Sequence, residues 1–204
     1  MPRFVDPVER RNAVGQAVWR VVKRSGLAGA SVRAVAEEAG LSTGSLRHYF
    51  KEQRGLQRYA FELILERYEQ RLTRIDPALP LREQIEEALW ALLPVNPEQI
   101  TEEQVRLEFL IQSRLDPELA VLAADDRAQA VRLTREAIIA LRDAGQAPPG
   151  VDVEATALEL LALVDGLAQA VALSPESMPA ERLRQALRRW LDNLAGSGPI
   201  GAER

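Results

Sequence analysis

Along this chain apolar residues return at the three- and four-residue spacing of a helix face, and the strict alternation of a half-buried strand is nearly absent. The pattern predicts an all-α protein of about nine helices. The first runs from about Pro7 to Ser25, with Val14, Ala17, Val18 and Val21 as its buried stripe and Gly26 as its stop. Ser31 caps a short second helix with Val32, Val35, Ala36 and Ala39 on its apolar face. Gly40 ends that helix in the left-handed conformation that glycine adopts without steric cost. Leu41 plugs the corner, Ser42 caps a third helix, and Leu46 and Phe50 point back inward. A long fourth helix is predicted from about Gln53 to Ile75, with Leu56, Ala60, Leu63, Ile64 and Leu72 inside; Asp76-Pro77 and Pro80 break it. Further helices are read over Leu81 to Leu93, Thr101 to Leu115, Pro117 to Ala144, Asp152 to Leu173 and Pro179 to Ala195. Thr101-x-x-Gln104 is read as a capping box, and Gly145 as the stop of the longest helix.

The segment from Ser31 to Phe50, SVRAVAEEAGLSTGSLRHYF, carries the most chemistry. Its inward positions leave Thr43, Gly44, Arg47 and His48 facing out. That face suits a DNA groove. Arginine can donate two hydrogen bonds to a guanine edge, and threonine can bond a base edge or touch a thymine methyl. Gly44 permits close approach of the backbone, and His48 and Tyr49 can bond phosphate oxygens, which fixes docking without reading sequence. The candidate DNA contacts are Ser31, Arg33, Ser42, Thr43, Gly44, Ser45, Arg47, His48, Tyr49 and Lys51. An ordinary helix hairpin with a solvated polar face is the other reading of the same pattern.

Charge distinguishes the two readings. The whole chain is slightly acidic, at −4. Residues 1–58 nevertheless hold 11 Lys/Arg against 5 Asp/Glu, while residues 59–204 hold 15 against 25. A basic head on an acidic body fits a DNA binder with a separate body. We therefore expect a DNA-binding domain over 1–52 and a helical effector-binding and dimerisation domain over 53–204. The rival is a helical interaction protein without specific DNA binding. There are no cysteines and one histidine, His48, so thiolate metal sites and multi-histidine sites are excluded and no cofactor is expected. Glu86-Glu87, Glu102-Glu103 and Asp125-Asp126 are adjacent acids that point in different directions on a helix. They read as solvated faces, not as catalytic pairs, and no enzyme is expected. No membrane-length apolar run is read and no secretion signal opens the chain, so the expected location is the cytoplasm, away from any membrane.

Near the C-terminus, Ala162, Gly166 and Ala170 line one stripe of one helix. Leu183, Leu187, Trp190, Leu191 and Leu194 line a face of the last. These eight residues are candidates for a homodimer interface in which two helix pairs form a bundle; packing inside a single chain is the alternative. A single short reading helix contacts few bases, which favours a dimer reading two half-sites. Candidates for an effector pocket in the body are Phe61, Leu65, Tyr68, Trp90, Phe109, Gln112 and Gln169, although each aromatic among them, taken singly, reads more readily as core.

Over residues 13–56 the chain resembles the tetracycline-repressor-type (TetR-like) family of bacterial regulators. The resemblance is carried by Ala13, Ala17, Gly26, Ser31, Val35-Ala36, Ala39-Gly40-Leu41-Ser42, Gly44-x-Leu46, Phe50 and Leu56. Val164-Asp165-Gly166-Leu167 is similar to a segment of the betaine-repressor-like branch. The family often has Tyr at the position of Arg47, His at Tyr49 and Lys at Gln53, where phosphate is commonly touched; Lys51 or Arg54 is the expected substitute for the missing lysine. The resemblance implies a dimeric repressor on a palindromic double-stranded operator, released when a small-molecule effector binds the helical body. The fourth helix, which joins head to body, would carry the signal.

Overall fold

The computed structural model describes residues 7–47, 50 and 52–196. Among them the chain forms nine α-helices and one 3-10 turn, with no strand. The helices are α1 (Pro7–Gly29), α2 (Val32–Glu38), α3 (Thr43–Arg47), α4 (Gln53–Leu72) and α5 (Leu81–Ala91). They continue as α6 (Pro97–Ser113), α7 (Pro117–Asp143), α8 (Val153–Leu173) and α9 (Ala180–Gly196), with the 3-10 turn Pro175–Ser177 between the last two. The all-α expectation is met.

Most boundaries fall where the end groups of a helix find partners. In α1 the helical run breaks at Gly26, whose φ of 67° and ψ of 176° leave the helical region. Asn96 caps α6: its Oδ1 accepts from the backbone N–H groups of Glu98 and Gln99, both at 3.0 Å. Gln99 reaches back to accept the Val95 N–H at 3.1 Å. This corrects the start expected at Thr101, whose hydroxyl lies within the helix and donates to the Pro97 carbonyl at 2.9 Å. The cap sits one turn earlier because Pro97, at the first helical position, has no N–H to satisfy. Asp116 caps α7 and Asp152 caps α8 in the same way. At the other end of α7, Gly145 (φ 71°) closes a turn in which the Gln146 N–H returns to the Leu141 carbonyl at 2.8 Å.

Packing divides the chain into two compact units. One holds the described residues up to Arg67 together with Gln104–Ala123; the other holds Tyr68–Glu103 and the residues from Ala124 onward. These packing units cross the boundary expected at 52/53, because the C-terminal half of α6 and the start of α7 pack with the head. In the first unit the expected stripe of α1, Val14, Ala17, Val18 and Val21, is buried, as are Val35, Ala36, Leu46, Phe50, Leu56, Ala60 and Ile64. Helix α1 packs on α2, and α2 on α3.

The core of the second unit joins Ile85, Leu89 and Leu93 with Ile138 and Leu141 of α7, the inner face of α8, and Leu183, Leu187, Leu191 and Leu194 of α9. Those four leucines were expected at a dimer interface, and the structure corrects this: they are already buried within one chain, and Trp190 packs partly against the same core. Each fully buried leucine contributes about 1.5–3 kcal/mol of transfer free energy, a reason to face inward that needs no partner. A second correction concerns α8. By length and composition it is apolar enough to cross a membrane, contrary to the expectation of no such run. Its inward side, Ala157, Leu160, Leu161, Val164, Ala168, Val171 and Ala172, is buried, while Leu158, Ala162 and Gly166 on its outer side are exposed.

The adjacent acids also differ from expectation. Glu86, Glu102 and Glu103 are buried rather than solvated. Arg71 meets Glu102 at 2.8 Å, Tyr68 donates to Glu103 at 3.3 Å, and Arg184 and Arg188 converge on Glu86 at 3.1 and 2.8 Å. Arginine partners for Glu86 and Glu102 and a tyrosine hydroxyl for Glu103, all from other helices, make burial of these carboxylates tolerable, which no local spacing reveals. Replacing the buried Leu187 with Ala is expected to lower the unfolding free energy by about 2–5 kcal/mol, read by urea denaturation; a loss below about 0.5 kcal/mol, the size of an ordinary surface change, contradicts its placement.

Candidate nucleic-acid interface

The geometry of the head is set by three local devices. Ser31 Oγ accepts the Ala34 N–H at 3.2 Å and fixes the start of α2. At its end, Gly40 takes φ 64°, its N–H bonds the Glu37 carbonyl at 3.2 Å, and the Leu41 N–H bonds the Ala36 carbonyl at 2.9 Å. This double closure reverses the chain in a defined way, and only a residue at ease with positive φ can occupy the corner. Ser42 Oγ then accepts the Ser45 N–H at 3.0 Å and donates to Ser45 Oγ at 2.9 Å, which fixes the start of α3.

With the turn held so, Leu46 and Phe50 are buried and Thr43, Gly44 and Arg47 are exposed on α3, as the sequence pattern predicts. Arg33 is exposed on α2. The hydroxyl oxygens of Ser31 and Ser42 cap the backbone, and that of Ser45 accepts from Ser42. His48, Tyr49 and Lys51 lie outside the described residues. Gln53, at the position of the missing phosphate-binding lysine, and Arg54, one of its two expected substitutes, are employed elsewhere. Gln53 donates to the Ala28 carbonyl at 3.3 Å. Arg54 is held by Asp116 at 2.8 Å and Glu118 at 2.9 Å.

Behind the reading pair, Arg20 and Arg24 on successive turns of α1 share Glu38 at the end of α2, at 2.6 and 3.0 Å. Their hydrogen bonds to the carboxylate hold the Glu38 pKa below its ordinary value of 4.5. The sequence reading missed this contact; a pair of arginines one turn apart and a glutamate on the next helix were its only signal. It also missed Glu108, which accepts the Leu27 N–H at 2.6 Å from 81 residues away.

The residues expected to line a pocket are divided between the two units. In the first, Phe61 and Phe109 are fully buried and stacked on each other, with centroids 3.9 Å apart and planes 9° apart; Leu65 and Gln112 are half-buried. In the second, the rings of Tyr68 and Trp90 each carry an arginine over one face: Arg71 at 4.7 Å and Arg184 at 4.2 Å. Gln169 is exposed, two turns along α8 from Ala162 and on the same outer stripe, so it points away from the core it was expected to face.

Two capped helices joined by a glycine-closed turn, with a polar face on the second and a third helix packed against the first, define the helix-turn-helix class of DNA-binding regulators. The family model described as bacterial regulatory proteins, tetR family, matches residues 16–59, and that of the BetI-type transcriptional repressor, C-terminal, matches residues 80–196. The HTH-type transcriptional regulator PksA of Bacillus subtilis (strain 168) is 32% identical over 95% of this chain and 94% of its own length. The HTH-type transcriptional regulator BetI of Vibrio atlanticus (strain LGP32) is 29% identical over 94% of each. Among solved structures, a transcriptional regulator from Rhodococcus sp. Rha1 superposes with a TM-score of 0.78 at 28% identity, covering 91% of this chain and 95% of that one. A transcriptional regulator from Saccharomonospora viridis, in complex with choline, has the same fold, with a TM-score of 0.80 at 20% identity over 91% and 96% of the two chains. The chain belongs to the TetR family of transcriptional regulators, in its BetI-like branch, and is a DNA-binding regulator, not an enzyme.

The Glu38 contacts give a pH signature. Because its pKa is depressed in the folded state, its contribution to stability is full above the unfolded value of 4.5 and is lost as pH falls through the lower folded value. The melting temperatures of the wild type and Glu38→Gln, compared across pH, are expected to differ most above pH 4.5 and to converge below it; a constant gap contradicts the assignment.

Proposed function

We propose that the protein is a dimeric repressor that binds a palindromic operator in the cytoplasm and leaves it when a small-molecule effector binds the helical body. The observation that carries the dimer is the outer stripe of α8. Leu158 and Leu173 are 57% and 77% exposed there, and Ala162 and Gly166 lie exposed between them. A Cβ built on Gly166 meets nothing within 4 Å. Small residues flanked by large exposed apolar ones let a second helix approach closely and reward it for doing so. Of the residues expected at the interface, Ala162 and Gly166 remain its centre, with Ala170 at the edge, while the leucines of α9 support it from behind. A dimer also supplies what α3 lacks: a single short reading helix reaches few base pairs, and a second head adds a half-site.

The effector reading is supported by the neighbour of like fold described with choline. Any such ligand acts only by binding the DNA-competent and DNA-released states with different affinity; a tenfold difference corresponds to about 1.4 kcal/mol. The half-buried Tyr68 and Trp90 are the candidate contacts. A cationic ligand seeking either ring meets Arg71 or Arg184 there first.

Gly166→Arg fills open space in the single chain, so helicity is expected to survive while light scattering changes from dimer to monomer; a persistent dimer places the interface elsewhere. Arg47→Ala is expected to weaken operator binding about tenfold or more, measured by fluorescence anisotropy, with folding intact. Unchanged affinity removes Arg47 from the contact set.

A further inference from the structure

We infer that Glu108 is a positioning residue for the DNA-reading helices, an inference that rests on α2 and α3 being the reading pair. Its carboxylate acts at the point where α1 stops being a helix. Gly26 breaks the helical run, Leu27 is the first residue past the break, and Glu108 Oε2 is the acceptor of the Leu27 N–H at 2.6 Å. Gly26 is also what admits the carboxylate: a Cβ there would stand 3.0 Å from Oε1 and 3.2 Å from Oε2, on a backbone whose φ of 67° already disfavours a side chain. From this point the chain reaches the cap of α2 at Ser31 within a few residues, and Leu27 and Ala30 between them are fully buried. Fixing Leu27 therefore fixes where α2 begins.

The same segment grips the far side of the reading pair. Asp116 and Glu118, at the start of α7, hold Arg54 in the first turn of α4, just after the reading helix. Between the two contacts, Phe109 stacks on Phe61 of α4 and anchors the segment. The reading pair is thus bracketed by carboxylates at its entry and its exit, both supplied by residues within Gln104–Ala123. The exposed Arg54 pairs are individually weak in water. The Glu108 contact is a short charge-assisted bond to backbone, and that is the stronger kind.

The test compares wild type, Glu108→Gln and Glu108→Ala in the full chain. Hydrogen exchange by NMR reads the head without DNA, and anisotropy on an inverted-repeat duplex enriched from a random library reads binding. In Glu108→Ala the Leu27 amide is expected to exchange about tenfold faster or more, the loss of a bond to a charged group. Amides of α2 and α3 should follow, while those of α5 and α9 stay as in wild type. Glu108→Gln, which keeps an acceptor oxygen, is expected to restore most of the protection. Duplex affinity in Glu108→Ala is expected to fall about tenfold with an unchanged slope against log salt, since the same phosphates are contacted. Unchanged exchange at Leu27, or faster exchange there with undiminished affinity, overturns the positioning role. If the wild type binds no duplex, the function proposed above falls. Exchange in α2 and α3 then decides alone, acceleration supporting the role and its absence overturning it.

Discussion

Every helix leaves N–H groups without partners at its start and carbonyls without partners at its end, and in a chain made almost wholly of helices this constraint recurs at each junction. The protein meets it with short polar side chains and glycines. Ser31, Ser42, Asn96, Asp116 and Asp152 each accept backbone N–H groups at a helix start. Gly40 and Gly145 each close a helix end through a left-handed residue. In the body these caps set where helices stop. In the head they set an angle: the corner at Gly40 and the cap at Ser42 lie between two short helices, so together they decide which way α3 presents Thr43, Gly44 and Arg47. A groove-reading helix has to be aimed before it meets DNA, and here the aim is built from backbone hydrogen bonds rather than from the contact residues themselves.

The head packs with more than its own helices. Its α1 face is buried, yet its reading pair is short, and the compact unit around it takes in half of α6 and the start of α7. The acidic residues of that segment complement the basic head locally: Glu108 against backbone, Asp116 and Glu118 against Arg54. The charge asymmetry visible in composition thus has two parts. One is an outward-facing surplus that suits phosphate, in Arg33 and Arg47; the other is internal pairing that fastens the head to its support.

The head was legible in the sequence because its determinants are local. A serine before an apolar run, a glycine after it, a plug residue and a second serine fall within a dozen positions of one another, and each has a conformational meaning that needs no tertiary context. The buried stripe of α1 was legible for the same reason, from its period. What was not legible depends on contacts between distant segments. Glu102 and Glu103 look like solvent-facing acids until Arg71 and Tyr68 are placed beside them. The leucines of α9 are equally suited to a partner subunit and to their own core, and only the packing of α5, α7 and α8 around them decides. Gln169 differs from an inward position by part of a helical turn, a phase that periodicity in a helix apolar on most sides leaves poorly marked. The start of α6 was misplaced by one turn because Thr101-x-x-Gln104 and the residues beginning at Asn96 both have the form of a cap, and Pro97 favours the earlier one.

In the function proposed above, the head is a preorganised reader that acts in pairs. The most direct test is selection of bound sequences from a random duplex library by the purified protein at moderate salt. Enrichment of an inverted repeat whose half-sites lie about one turn of DNA apart, or a multiple of it, is the expected result. No enrichment by protein shown to be folded and dimeric, or enrichment of a single asymmetric site, would contradict it.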